Sequence, residues 1–149
     1  MDISTFAVFE ARMLSTEPVS QKGFHDGARV SRSTLVEMEE FVNTSGTNIP
    51  LQTMHDTRVL PVGRVFSAKI RDLPTGETEL IGRFYIAASD NFKKSLIADI
   101  ESSTIDEVSV GLLAKHAFCS ECGFDYFGED ADFINILTMT CDKDHTIGS

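Results

Sequence analysis

The last third of the chain carries four side chains of the types that bind transition metals. They are the three cysteines of the sequence and one histidine: Cys119, Cys122, Cys141 and His145. A Cys-x2-Cys pair followed by Cys-x3-His supplies the sulfur and nitrogen ligands of a tetrahedral zinc site. Because four protein ligands leave no position for water, the pattern predicts a structural zinc ion. The alternative is a chance Cys-x2-Cys pair, with Cys141 as a small buried hydrophobe and His145 exposed.

A histidine and a serine form a second candidate site. His55 precedes the run Leu60-Pro61-Val62-Gly63-Arg64-Val65, and Ser109 lies among apolar residues in Glu107-Val108-Ser109-Val110-Gly111. A hydroxyl buried in an apolar strand without a hydrogen-bond partner costs about 1–3 kcal/mol. An imidazole facing Ser109 would satisfy the hydroxyl and act as the general base that makes it nucleophilic. The alternative is a histidine in a turn and a serine bonded to the backbone.

Strands are the first elements that would position these residues. Three segments rich in apolar, aromatic and β-branched residues are predicted to be strands: residues 5–14, 59–72 and 78–88. Leu73-Pro74-Thr75-Gly76 joins the last two with the fixed and permissive backbone angles of a hairpin turn. Residues 105–114 and 133–140 alternate or run apolar, which predicts two further buried strands.

Two amphipathic helices are predicted between the strands. Thr34-Leu35-Val36-Glu37 is typical of a capping box, and apolar residues follow it at helical spacing as far as the polar residues 43–46. Asp90 can cap a second helix, which Ser102-Ser103-Thr104 closes. The sequence therefore predicts an α+β fold that is mainly antiparallel and β-rich, with about two helices.

The length and charge of the chain limit its organisation and its partners. Its 149 residues allow one main β-rich domain, residues 1–115, and a small zinc-binding module, residues 116–149, packed on it. The net charge of -10 disfavours binding to nucleic acid. No apolar run is long enough to cross a membrane and no secretory signal is visible, so we expect a soluble protein in a reducing compartment.

Residues from about Thr5 to Gly111 resemble the prohead proteases of tailed phages, which share the assemblin fold of herpesvirus maturation proteases. The resemblance implies a barrel-like fold. The resemblance is carried by His55-Asp56 ahead of residues 60–65, then a turn, a strand and a helix, and then Val108-Ser109-Val110-Gly111. Some members of that family also carry a Cys-x-x-Cys-Gly module followed by a cysteine and His-x-x-Gly. Here the last of these elements is His145-Thr146-Ile147-Gly148.

The resemblance implies a serine endopeptidase. Ser109 would attack the scissile carbonyl, His55 would take the serine proton, and backbone N–H groups would hold the oxyanion. A third residue would orient the histidine, and Asp132 is favoured because it directly precedes residues 133–140. Further candidates are Glu129, Asp130 and His116. In many relatives this residue lies in a strand beyond the cysteine module, so it can also be absent from residues 1–149.

The resemblance also implies a place of action. The enzyme would cleave scaffolding and major capsid proteins, together with copies of itself, inside a precursor capsid in the host cytoplasm. The alternative is a non-enzymatic, zinc-stabilised structural protein of the virion, in the capsid or tail, that retains the protease fold. A third interpretation is a zinc-ribbon adaptor for protein partners.

Overall fold

A computed structural model describes residues 5–20, 26–44, 49–54, 56–111 and 113–147. Within these residues the chain forms four strands: β1 (Phe6–Ser15), β2 (Ile49–Leu51), β3 (Gly63–Asp72) and β4 (Thr78–Ala87). It also forms three helices: α1 (Arg32–Thr44), α2 (Asn91–Glu101) and α3 (Phe133–Thr138). The predicted α+β class is confirmed. None of the described helices has the length and apolar character that a membrane crossing requires.

The four strands form one antiparallel sheet in the order β1-β4-β3-β2. The expectation of a barrel is wrong, because β1 and β2 are the two edges of an open sheet in the described part of the chain. β2 has only three residues, so it pairs with the first part of β3 alone. The predicted hairpin is confirmed as β3 and β4. Its turn is closed by the Leu73 N–H, which donates to the Glu77 carbonyl oxygen at 2.8 Å.

Gly63 allows β3 to begin close against β4. A Cβ at this position would lie 1.9 Å from the Tyr85 carbonyl oxygen, a backbone atom that cannot rotate away. Gly63 belongs to the run 60–65 that carries part of the resemblance. Its presence there has a structural reason, because only glycine leaves room for the neighbouring strand.

Helix α1 covers one face of the sheet and contributes side chains to the core. Leu35 and Val42 are its buried residues, and Leu80, Phe84 and Ile86 of β4 are buried as well. Phe41, an apolar residue of the same helix, is 55% exposed. The helix begins earlier than predicted, because the Ser31 hydroxyl accepts the Thr34 N–H at 3.2 Å and so caps its first turn. Helix α2 is capped by Asp90, as predicted.

Two of the predicted strands are wrong. The described residues between 105 and 114 belong to no strand, and residues 133–138 form α3. The helix is favoured because Asp132 and Asn135 form a complete capping box, in which each side chain bonds the other's backbone. A short apolar run fits a buried strand and a helix equally well by composition, and here the cap decides.

The chain divides into two compact units. Unit 1 comprises Met1–Thr16 and Ser31–Gly111, and unit 2 comprises Glu17–Val30 and Leu112–Ser149. Unit 1 contains the sheet with α1 and α2, and unit 2 contains α3 and all three cysteines. The two candidate sites of the sequence therefore need to be considered separately.

Candidate metal centre

A tight turn holds the first two cysteines of unit 2. The Gly123 N–H donates to the Cys119 carbonyl oxygen at 2.9 Å, and the Cys119 N–H donates to the Phe124 carbonyl oxygen at 2.8 Å. Gly123 has a φ of 77°, in the left-handed region that glycine adopts without strain. The Cys-x2-Cys spacing and the tight turn at Gly123 therefore both direct the two thiols to the same side.

A second turn holds Cys141 and His145. The Cys141 N–H donates to the His145 carbonyl oxygen at 3.1 Å, and the Asp144 N–H returns to the Cys141 carbonyl oxygen at 3.1 Å. A bridge between Thr140 and Thr146 closes the base of this loop. The end of the described chain is thus anchored by its own backbone.

The two turns bring their four side chains into one cluster. The ligand atoms of Cys119, Cys122, Cys141 and His145 all lie within 4.8 Å of one another. Cys119 Sγ lies 3.6 Å from His145 Nδ1, and Cys122 Sγ lies 3.6 Å from Cys141 Sγ. All three cysteines are free thiols. The four residues predicted from spacing are close together and could bind a metal ion.

The surroundings of the cluster stabilise a thiolate at Cys119. Burial alone would raise the pKa of this thiol, but the N–H groups of Cys122 and Glu121 and the ring of His145 lower it to about 7. The Phe124 N–H lowers the pKa of the Cys122 thiol. Desolvation and the adjacent cysteine thiols raise it, and together they leave the pKa above its ordinary value. Cys119 therefore ionises more readily than Cys122, and a bound cation would stabilise its thiolate further.

The cluster is also the core of unit 2. Cys119, Tyr126 and Cys141 are buried together, and Phe124 and Ile147 pack against them. Several large apolar side chains of this unit lie exposed instead: Phe118, Phe127, Phe133, Ile134 and Leu137. A core made of ligands and few other residues favours a unit that depends on a metal for its stability.

Sequence reasoning missed the pair formed by His116 and Asp125. His116 Nδ1 lies 2.7 Å from Asp125 Oδ2, and the ring stacks on Phe118 at a centroid distance of 5.6 Å. The interaction with His116 lowers the pKa of the Asp125 carboxyl, aided by the N–H groups of Ala117 and Phe127. His116, one of the candidates to orient a catalytic histidine, is therefore engaged by an aspartate nine residues further along.

The predicted catalytic residues have different positions. His55 lies outside the described residues. Ser109 is exposed in an irregular segment of unit 1, so the expectation of a hydroxyl buried in a strand is wrong. Asp132, in unit 2, accepts the N–H groups of Ile134 and Asn135 as the cap of α3. Glu129 and Asp130 are exposed.

A largely apolar cleft of about 380 Å³ lies in unit 1. Its walls include Thr53, Val59, Leu60, Val62 and Phe92. Leu60 is 89% and Phe92 59% exposed, so the cleft presents apolar surface to solvent. Such a surface can hold an extended apolar segment.

No family model matches the chain, and no curated protein or solved structure matches it either. The resemblance to prohead proteases therefore rests on the motifs of the sequence.

Proposed function

We propose that Cys119, Cys122, Cys141 and His145 bind one structural zinc ion around which unit 2 folds. The observation that supports this function is the convergence of four ligand atoms within 4.8 Å. Three sulfurs and one imidazole nitrogen form a set typical of zinc, whereas magnesium and calcium select oxygen ligands. A closed set of four ligands stabilises a fold and leaves no position for a substrate.

The distances in the cluster fit tetrahedral zinc. With Zn–S bonds of about 2.3 Å and Zn–N bonds of about 2.0–2.1 Å, a tetrahedron separates two sulfurs by about 3.8 Å and a sulfur from a nitrogen by about 3.6 Å. The corresponding distances here are 3.6 Å for Cys122 to Cys141 and 3.6 Å for Cys119 to His145. The other pairs lie within 4.8 Å, so zinc would draw the most separated ligand atoms together by up to about 1 Å.

Elemental analysis of the purified full chain tests this function. We expect one zinc ion per chain in the wild type and loss of that zinc in Cys122→Ser. Ser120→Ala is the matched control, because Ser120 is an exposed residue of the same turn. A wild-type protein that is folded and free of zinc after purification with added zinc would contradict the proposal.

A second candidate function is the serine endopeptidase that the resemblance implies. The order β3, turn, β4, α2 and then Ser109, all within unit 1, is the order in which the resemblance arranges these segments. Ser109 is exposed and therefore accessible to a peptide. In this function Ser109 attacks the scissile carbonyl, His55 takes the serine proton, and the acyl-enzyme is then hydrolysed by water. Substrates would be scaffolding and major capsid proteins inside a precursor capsid.

Asp132 is the weakest member of that proposed triad. Its carboxylate already accepts two backbone N–H groups at 2.9 and 3.1 Å. Oδ1 accepts both of these N–H groups, so Asp132 would have to orient His55 through its other oxygen, Oδ2.

A fluorophosphonate label that reacts with activated serines tests the second function. Labelling should occur in the wild type and disappear in both Ser109→Ala and His55→Ala. Ser95→Ala, a change at an exposed serine of α2, should label like the wild type. If the zinc-loaded wild type does not label, the enzyme is excluded and the zinc-stabilised structural protein of the virion is the better proposal.

A further inference from the structure

The two faces of the sheet in unit 1 have opposite character. One face is apolar and carries Leu80, Phe84 and Ile86. The strand register places seven charged residues together on the other, which we call the cationic face: Glu10, Arg12, Arg64, Lys69, Arg71, Glu79 and Arg83. Five are cations and two are carboxylates, in a chain whose net charge is -10. Positive charge is thus concentrated on one surface of an acidic protein.

The carboxylates of the cationic face are too few to neutralise it. Glu79 is buried and is shared by two guanidinium groups, at 3.3 Å from Arg12 and 2.6 Å from Arg71. Glu10 lies opposite Arg83 in the register. Lys69 lies in a row with Ile81 and Arg12 that contains no carboxylate.

A groove of about 410 Å³ follows this face. Lys69, Arg71 and Arg83 line it, together with Ser67, Ile81 and Glu10. The three cations are exposed. An anionic ligand in the groove would therefore meet several cations that are already held in place by the strands.

We propose that the cationic face binds an extended acidic segment of a protein partner. Lys69 and Arg71 project from the same side of β3, and residues two apart in a strand are about 6.6–6.8 Å apart. Carboxylates at alternate positions of an extended peptide have the same spacing, so they can pair with both cations at once. Ser67, Lys69 and Arg71 of β3 all line the groove, so a segment lying along this strand would meet both cations.

The aromatic residues of this face favour a peptide over single-stranded nucleic acid. Nucleic-acid platforms stack bases on open rings. Here the Arg83 guanidinium covers Phe66 at 5.5 Å from the ring centroid, and Tyr85 contacts both Phe66 and the edge of Phe6. All three rings are half-buried. The net charge of -10 also repels a long phosphate backbone more than a short peptide with few carboxylates.

Fluorescence anisotropy with the full chain tests this surface. The probes are a labelled peptide of alternating aspartate and alanine, a matched peptide of alternating lysine and alanine, and labelled oligothymidylate. We expect the aspartate peptide alone to bind, and its affinity to fall as ionic strength rises from about 0.01 M to about 0.15 M, where the Debye length shrinks from about 30 Å to about 8 Å.

Charge variants locate the binding. Lys69→Glu should weaken the aspartate peptide by about tenfold or more, because it places a like charge in the groove. Lys94→Glu makes the same charge change on the exposed surface of α2 and should have less than about a twofold effect. Lys69→Gln repeats the test with a smaller perturbation, and circular dichroism checks that each variant is folded.

Equal losses of affinity in Lys69→Glu and Lys94→Glu would overturn the proposal, as would absence of peptide binding at low salt. Tighter binding of oligothymidylate, lost in Lys69→Glu, would assign the face to nucleic acid instead.

Discussion

The side-chain amide of Asn43 pairs with both backbone groups of Ala68. Asn43 Nδ2 donates to the Ala68 carbonyl oxygen at 2.8 Å, and Asn43 Oδ1 accepts the Ala68 N–H at 3.0 Å. Glu39, one turn earlier in α1, accepts the Ile70 N–H at 2.9 Å. β2 reaches only the first part of β3, so these two side chains take the place of a further strand along the rest of that edge.

Asn43→Ala should lower the free energy of unfolding of unit 1 by about 1–3 kcal/mol, because it leaves the Ala68 N–H and carbonyl without their partner. Urea unfolding followed by circular dichroism measures the loss. Glu37→Ala, at an exposed position of the same helix, should change stability by less than about 0.5 kcal/mol. Equal effects of the two substitutions would show that the edge contact contributes nothing specific.

Gly63→Ala should be more destabilising than Gly82→Ala. A Cβ at Gly63 meets the Tyr85 carbonyl oxygen at 1.9 Å, so the strands would have to separate. A Cβ at Gly82 meets the end of the Met13 side chain at 2.6 Å, and a methionine can rotate away. We expect a loss of about 1–3 kcal/mol or more for Gly63→Ala. Melting temperatures of the two variants in the same buffer test this order, and the reverse order would contradict the assigned register.

Glu79 should make the stability of unit 1 depend on acid pH. Its hydrogen bond to Arg71, with help from Arg12, lowers the pKa of the buried carboxyl below its ordinary value of 4.5, although desolvation opposes this. The stabilisation is therefore present above pH 4.5 and is lost as the pH falls through the lower pKa of the folded state.

At neutral pH we expect Glu79→Gln to cost about 1–3 kcal/mol, and the difference from the wild type to shrink toward zero in acid. Urea titrations across the acid range measure it. Glu10→Gln, at an exposed carboxylate of the same face, is the control. A Glu79→Gln penalty that does not change with pH would show that packing, and not charge, is responsible.

Two substitutions of Asp132 separate a helix cap from a catalytic role. If the residue only caps α3, Asp132→Ala should cost about 1 kcal/mol and Asp132→Ser should be nearly neutral, because serine is also a good cap. If it orients His55, both substitutions should abolish serine labelling by fluorophosphonate. Thermal unfolding and labelling are measured on the same samples. We expect the cap pattern, because both acceptor contacts of the carboxylate are to the helix backbone.

Zinc removal should affect unit 2 and spare unit 1. The metal ligands are the centre of the small core of unit 2, whereas the sheet of unit 1 has its own buried residues. After treatment with a chelator, hydrogen exchange should become fast at Cys119, Tyr126 and Cys141 and stay slow in β3 and β4. Protection in unit 2 that survives chelation would show that the metal is dispensable for its fold.

The sequence by itself determined the hairpin, the presence of α1 and α2, and the four candidate metal ligands. Each of these depends on neighbours within a few residues: a Pro-Gly turn, caps such as Asp90, and paired turns around Cys119 and Cys141. Local patterns of this kind fix backbone geometry before any distant contact forms. Predicting the four ligands as one site also required the assumption that the two turns face each other.

Only the tertiary structure decided the remaining features. Composition did not distinguish a strand from a helix at residues 133–138, and periodicity did not show that the sheet stays open or that Ser109 is exposed. The cationic face depends on the register of three strands, and the Asn43–Ala68 pair depends on packing between residues 25 positions apart. The physical reason is that side-chain burial and strand pairing depend on which distant segments of the chain come into contact. A short stretch of sequence does not specify those contacts.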